Sequence, residues 1–143
     1  MSVLPWGLLP DTAEVGSDGQ LLVAGCDLDE LAEQYGTPLF VYDEAHLRAR
    51  CREAVAAFGD GVAYATKAFL CRAMARLAHE EGMYLDVASS GELAVALAAD
   101  VPGDRIVLHG NNKAEDELRA ARRARVGLSI GLDLLGVSAP ESL

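Results

Sequence analysis

Gly61-Val-Ala-Tyr-Ala-Thr-Lys-Ala-Phe-Leu70 opens the part of the chain whose reading decides the fold. Residues 62–66 read as a strand. Residues 70–81 then place Leu70, Ala73, Met74, Leu77 and Ala78 along one side of a helix that stops at Gly82. Residues 83–87 predict a second strand, 90–99 a second helix, 105–108 a third strand and 114–125 a third helix. Strand–helix alternation at this spacing implies parallel strands joined by right-handed helical crossovers. The fold class is therefore α/β, as a barrel or as an open doubly wound sheet. No Gly-x-Gly-x-x-Gly follows any of these strands, which tells against a dinucleotide-binding Rossmann sheet.

Upstream, the Gly59-Asp60-Gly61 break separates this pattern from a helix that Asp43 caps, with Leu47, Cys51, Val55 and Phe58 on one face. Before it, residues 39–42 (Leu-Phe-Val-Tyr) have strand composition. Asp27 caps a short helix over 28–35, which Gly36 ends. Residues 1–25 are rich in Gly, Pro and Asp and read as an extended arm with one short strand at 20–24.

Composition excludes several functions. The chain has 143 residues, 51% hydrophobic and 24% charged, which suits a globular domain. A net charge of −10 leaves no basic excess to neutralise phosphates, so nucleic acid is not an expected partner. The cluster Arg119, Arg122, Arg123 and Arg125 alternates with Glu115 and Glu117 as a solvated helix face does. Cys26, Cys51 and Cys71 are widely spaced and form no CxxC pair, so neither a disulfide framework nor a metal site is expected. No run of about 18 apolar residues and no signal-peptide pattern occurs, so no membrane span is expected and the compartment reads as cytoplasmic.

Each strand of the repeating part ends in polar residues: Thr66-Lys67, then Asp86 with Ser89 and Ser90, then His109 with Asn111, Asn112 and Lys113. Asn and Ser favour turns, and Asp86 and Ser89 could be helix caps. In a barrel, however, three successive clusters would share the C-terminal rim, where active sites are built. Lys67 is one of only two lysines against ten arginines, and it sits in an apolar run. Burial would push its ammonium toward a neutral, nucleophilic amine able to form a Schiff base with an aldehyde cofactor. The alternative is an edge-strand lysine that reaches out to water.

Tyr-Ala-Thr-Lys-Ala-Phe at 64–69 resembles the cofactor-lysine segment of fold-type III pyridoxal-phosphate decarboxylases. The spacing through Met74, Ala75 and Ala78 to Gly82 continues the likeness. Asp86-Val-Ala-Ser-Ser-Gly-Glu-Leu93 and His109-Gly-Asn-Asn-Lys113 are similar to the diaminopimelate decarboxylase branch. The opening Leu-Pro-Trp-Gly-Leu-Leu-Pro and the Arg-rich composition resemble its actinobacterial members. The resemblance covers about residues 3–127, with Ser90 standing where glycine is expected.

This resemblance implies a partial (β/α)8 TIM barrel of alanine racemase-like type, preceded by an N-terminal arm. Lys67 would carry pyridoxal 5'-phosphate as a Schiff base, as the catalytic residue. Asp86 and His109 would line the cofactor, with Glu92 and Asn111 behind them. The implied reaction converts the amino-acid substrate meso-diaminopimelate to L-lysine and carbon dioxide in a homodimer. An ornithine or arginine decarboxylase of the same fold type, and a non-catalytic cofactor-binding or interaction fragment, remain alternatives. Residues 1–43 would pack with the family's β-domain, 44–127 would form the first part of the barrel, and 128–143 read as an atypical tail. A full barrel takes about 250 residues. On this reading the chain is a truncated piece, inactive alone, with the phosphate loop beyond residue 143. A frame change, a truncated gene model or a natural short protein would each produce it.

Overall fold

The computed structural model describes residues 6–110 and 113–129. Backbone contacts divide the chain into two units, Met1–Arg50 and Cys51–Leu143.

In the first unit, a 3-10 turn at Trp6–Leu8 precedes three short antiparallel strands, β1 (Ala13–Val15), β2 (Leu21–Val23) and β3 (Cys26–Asp27). Val15 pairs with Leu21 and Val23 with Cys26, so β2 is the centre of a small meander. Only the middle strand was legible in the sequence. Helix α1 (Leu28–Tyr35) starts where the Asp27 carboxylate accepts the Asp29 and Glu30 amides, at 2.8 and 3.3 Å. It stops at Gly36, whose φ of 79° is costly for any residue with a Cβ. Asp43 begins α2 (Glu44–Phe58) by accepting the His46 amide at 3.1 Å, and the Thr12 hydroxyl donates to its other oxygen. Residues 39–42, expected as a strand, are not one: they pair with no strand among the described residues, and Phe40 is 84% exposed. Strand composition favours extension but supplies no neighbouring edge to hold it.

The second unit carries the parallel sheet. β4 (Ala63–Ala65), β5 (Tyr84–Val87), β6 (Ile106–His109) and β7 (Gly127–Ser129) lie side by side in chain order, all parallel. The crossovers are α3 (Arg72–Glu80), α4 (Ser90–Ala98) and α5 (Glu115–Arg123). The three expected strands therefore stand adjacent in the expected order. β7 corrects the expected tail boundary. Residues 127–129 continue the sheet, because a parallel ladder is closed by backbone groups and needs no Val/Ile side chains. Residues 130–143 lie outside the described residues.

Register assigns the two faces. Leu85 opposes Ile106 and Val87 opposes Leu108, and all four are buried at 2% exposure or less. Met74, Ala75 and Ala78 of α3 and Leu93 of α4 are buried as well, and both helices pack on β5. Tyr84, Asp86, Val107 and His109 occupy the alternate positions and are only half-buried. At the N-terminal end of the strands, Arg105 donates to Asp60 at 3.0 Å and to the Gly82 carbonyl at 2.6 Å. Its guanidinium also lies 4.0 Å from the Tyr84 ring centre. One side chain thus ties together the entries to β4, β5 and β6.

Candidate active site

The C-terminal end of the sheet gathers the polar side chains that the sequence singled out. β4 runs into a 3-10 turn, Thr66–Ala68, which carries Lys67 out of the strand. The Tyr64 hydroxyl closes this turn by donating to the Phe69 carbonyl at 2.6 Å. Ala65 is the register partner of Asp86, so Lys67 follows directly above the strand pair that bears Asp86. Lys67 is exposed, which corrects the expectation of a desolvated ammonium. The cause is local: the 3-10 turn lifts the residue off the edge strand and away from the apolar layer. Among the described residues its amine has no hydrogen-bond or ion-pair partner.

Asp86 faces the half-open side of β5, and its carboxylate meets His109 Nδ1 at 2.5 Å. The side chains are 25% and 46% exposed, so the pair sits in the rim and not in the core. Glu92 lies behind them. Its Oε2 accepts the Ala88 amide at 2.7 Å and the Thr66 hydroxyl at 2.9 Å, while Ser89 Oγ caps α4 by accepting the Glu92 amide at 3.2 Å. The Thr66 hydroxyl lies equally close, 2.9 Å, to the carbonyl of Asp86. Asn111 lies outside the described residues.

Two members of the rim clusters, Thr66 and Lys113, take contacts that the sequence did not assign to them. Thr66 is 1% exposed, and the signal was its position: it opens the turn at the end of β4, where a buried hydroxyl needs partners. Lys113 reaches across to donate to the Ala88 carbonyl. Glu117, expected on a solvated helix face, accepts the Ala114 and Ser90 amides, each at 3.0 Å. These bonds, Ala114 first, hold its carboxyl below the usual carboxylate range. Among the described residues no cluster of His, Cys, Asp and Glu fits a metal ion, and no helix is long and apolar enough to cross a membrane.

Parallel β/α units with an amine, a carboxylate and an imidazole on their C-terminal rim define a barrel-type site. The chain belongs to the pyridoxal-dependent decarboxylases: their pyridoxal-binding domain matches residues 44–133. It is 54% identical over 126 residues to the diaminopimelate decarboxylase of Corynebacterium efficiens, covering 87% of this chain and 28% of that protein. It is 59% identical over 111 residues to that of Mycobacterium tuberculosis, covering 76% of this chain and 25% of that protein. The chain thus spans about a quarter of the length of these curated relatives. Among solved structures it is similar to M. jannaschii diaminopimelate decarboxylase in co-complex with L-lysine. There the TM-score is 0.76 at 34% identity, over 82% of this chain and 29% of that one. A lysine/ornithine decarboxylase from Vibrio vulnificus complexed with putrescine gives a TM-score of 0.64 at 25% identity, over 69% of this chain and 28% of that one. The fold is accordingly part of a (β/α)8 barrel of the alanine racemase-like type.

Proposed function

We propose that this chain is the cofactor-lysine portion of a pyridoxal-phosphate-dependent diaminopimelate decarboxylase, acting on meso-diaminopimelate to give L-lysine and carbon dioxide. The observation that carries the reading is the contrast between the two lysines. Lys113 donates its ammonium to the Ala88 carbonyl. Lys67 stands exposed at the rim with no partner among the described residues. An amine that must condense with an aldehyde must be reachable, and of the two lysines Lys67 is the exposed one. The site's donor set therefore fits pyridoxal phosphate. When bound, the cofactor supplies an electron sink for the pair left by a departing carboxylate.

This chain's residues supply attachment and orientation. Lys67 would hold the cofactor at the strand end. Asp86, kept in place by His109, would present a fixed carboxylate on the same rim, and Glu92 would brace the turn from behind. The identities of 54% and 59% favour diaminopimelate as substrate. The likeness to the Vibrio vulnificus lysine/ornithine decarboxylase supports ornithine as the second reading.

The test is borohydride reduction of the chain with pyridoxal phosphate, followed by peptide mapping. Label is expected on Lys67, and prior addition of meso-diaminopimelate should protect that site where L-ornithine does not. Label confined to Lys113 or the α-amino group would overturn the assignment. Protection by ornithine alone would replace the substrate.

A further inference from the structure

We infer that Glu92, acting through the Thr66 hydroxyl, is the positioning residue that aims the Lys67 amine. The inference rests on Lys67 being the cofactor lysine. Thr66 is adjacent to it in the chain and almost wholly buried. A hydroxyl has one proton, and both groups 2.9 Å from Thr66 Oγ1 are acceptors: the Asp86 carbonyl and Glu92 Oε2. The same Glu92 oxygen takes the Ala88 amide at 2.7 Å. One carboxylate oxygen therefore spans the ends of β4 and β5, from a helix whose first turn Ser89 fixes.

Lys67 has no partner of its own among the described residues, so the backbone of its turn is what limits the region its amine can reach. That turn has two holds. Tyr64 closes it on itself through the Phe69 carbonyl. Thr66 ties it to the end of β5 and to α4 through a single O–H shared between the Asp86 carbonyl and Glu92 Oε2. Removing the second hold leaves the turn closed but free to swing relative to Asp86. The half-buried carboxylate makes the hold charge-assisted, which strengthens it over a neutral pair.

Three variants test this in the full chain, with pyridoxal phosphate limiting, borohydride trapping and peptide mapping. The yield at Lys67 is read against the α-amino group as an internal reference. Thr66→Val keeps the shape and loses the hydroxyl, and its relative yield at Lys67 should fall about tenfold. Thr66→Ser restores the hydroxyl and should stay within about twofold of the parent. Glu92→Gln removes the charge and should lower the yield about threefold. Circular dichroism melts establish that each variant is folded. A folded Thr66→Val that labels Lys67 as the parent does would overturn the inference and leave the assignment of Lys67 intact. Should Thr66→Val fail to fold, parental labelling in Glu92→Gln would overturn it equally. A parent chain that leaves Lys67 unlabelled would overturn both.

Discussion

Gly103 and Ala124 are in backbone contact: a Cβ added to Gly103 would lie 1.5 Å from the Ala124 carbonyl oxygen and 2.7 Å from its carbon. Gly103 opens the 3-10 turn that feeds β6, and Ala124 ends α5. The helix can leave toward β7 only because no side chain stands there. Gly103→Ala is therefore expected to force the backbone apart, at a cost of about 1–3 kcal/mol or more. Urea unfolding of the variant measures this, and a midpoint equal to the parent's would show that the close approach is absent.

Arg105 is expected to be the most sensitive charged residue at the opposite end of the sheet from Lys67. It satisfies the Gly82 carbonyl, pairs with Asp60 and covers the Tyr84 ring. Arg105→Ala loses all three together with the packing of its stem, about 2 kcal/mol. Asp60 is exposed, so Asp60→Asn should cost less than about 1 kcal/mol. Equal effects in the two variants would place the energy in the ion pair alone.

Asp43 should make the first unit acid-sensitive. The Thr12 hydroxyl is the main reason its carboxyl sits below the usual value; the His46 and Ala45 amides add to this, and burial opposes it. A group whose pKa is lower folded than unfolded stabilises the fold above its unfolded value, near about 3.9. That contribution disappears as pH falls through the folded value. The His46 amide, which donates to Asp43, should thus lose its protection, measured against its intrinsic exchange rate at each pH, once pH drops below about 4. Thr12→Val should move this onset to higher pH, and an unchanged onset would remove Thr12 as the cause. Asp43→Ala should cost about 0.5–2 kcal/mol at neutral pH through loss of the cap.

The parts of the fold that the sequence disclosed are those where a local signal and the tertiary outcome agree. The stripe through Met74, Leu77 and Ala78 with Gly82 behind it defines α3 and forces the chain back into β5. The limit appears where a partner decides the outcome. Residues 39–42 have the composition of a strand, yet a strand exists only against an edge. The meander of β1 and β3 rests on backbone pairing that composition does not report. At the rim, residue types named Lys67, Asp86 and His109, but not the direction Lys67 takes, because a 3-10 turn follows from the Tyr64 hydroxyl reaching the Phe69 carbonyl. Glu92 was visible as a nearby carboxylate. Its bond to Thr66 was not, since that bond joins two elements 26 residues apart.

His109 should hold Asp86 through Nδ1 specifically. Asparagine places its amide nitrogen near the position of Nδ1, whereas glutamine reaches toward that of Nε2. His109→Asn should therefore keep the contact with the Asp86 carboxylate, and His109→Gln should lose it. His109→Leu should leave Asp86 unpaired altogether. Because His109 is 46% exposed and Asp86 25%, solvent screens the pair, and the expected separation in stability is about 1 kcal/mol. Urea unfolding of the three variants gives the order. Asparagine above glutamine and leucine supports the Nδ1 pairing. Glutamine matching the parent, with asparagine as poor as leucine, would mean that Asp86 is met by the other ring nitrogen and that the imidazole faces the rim the opposite way.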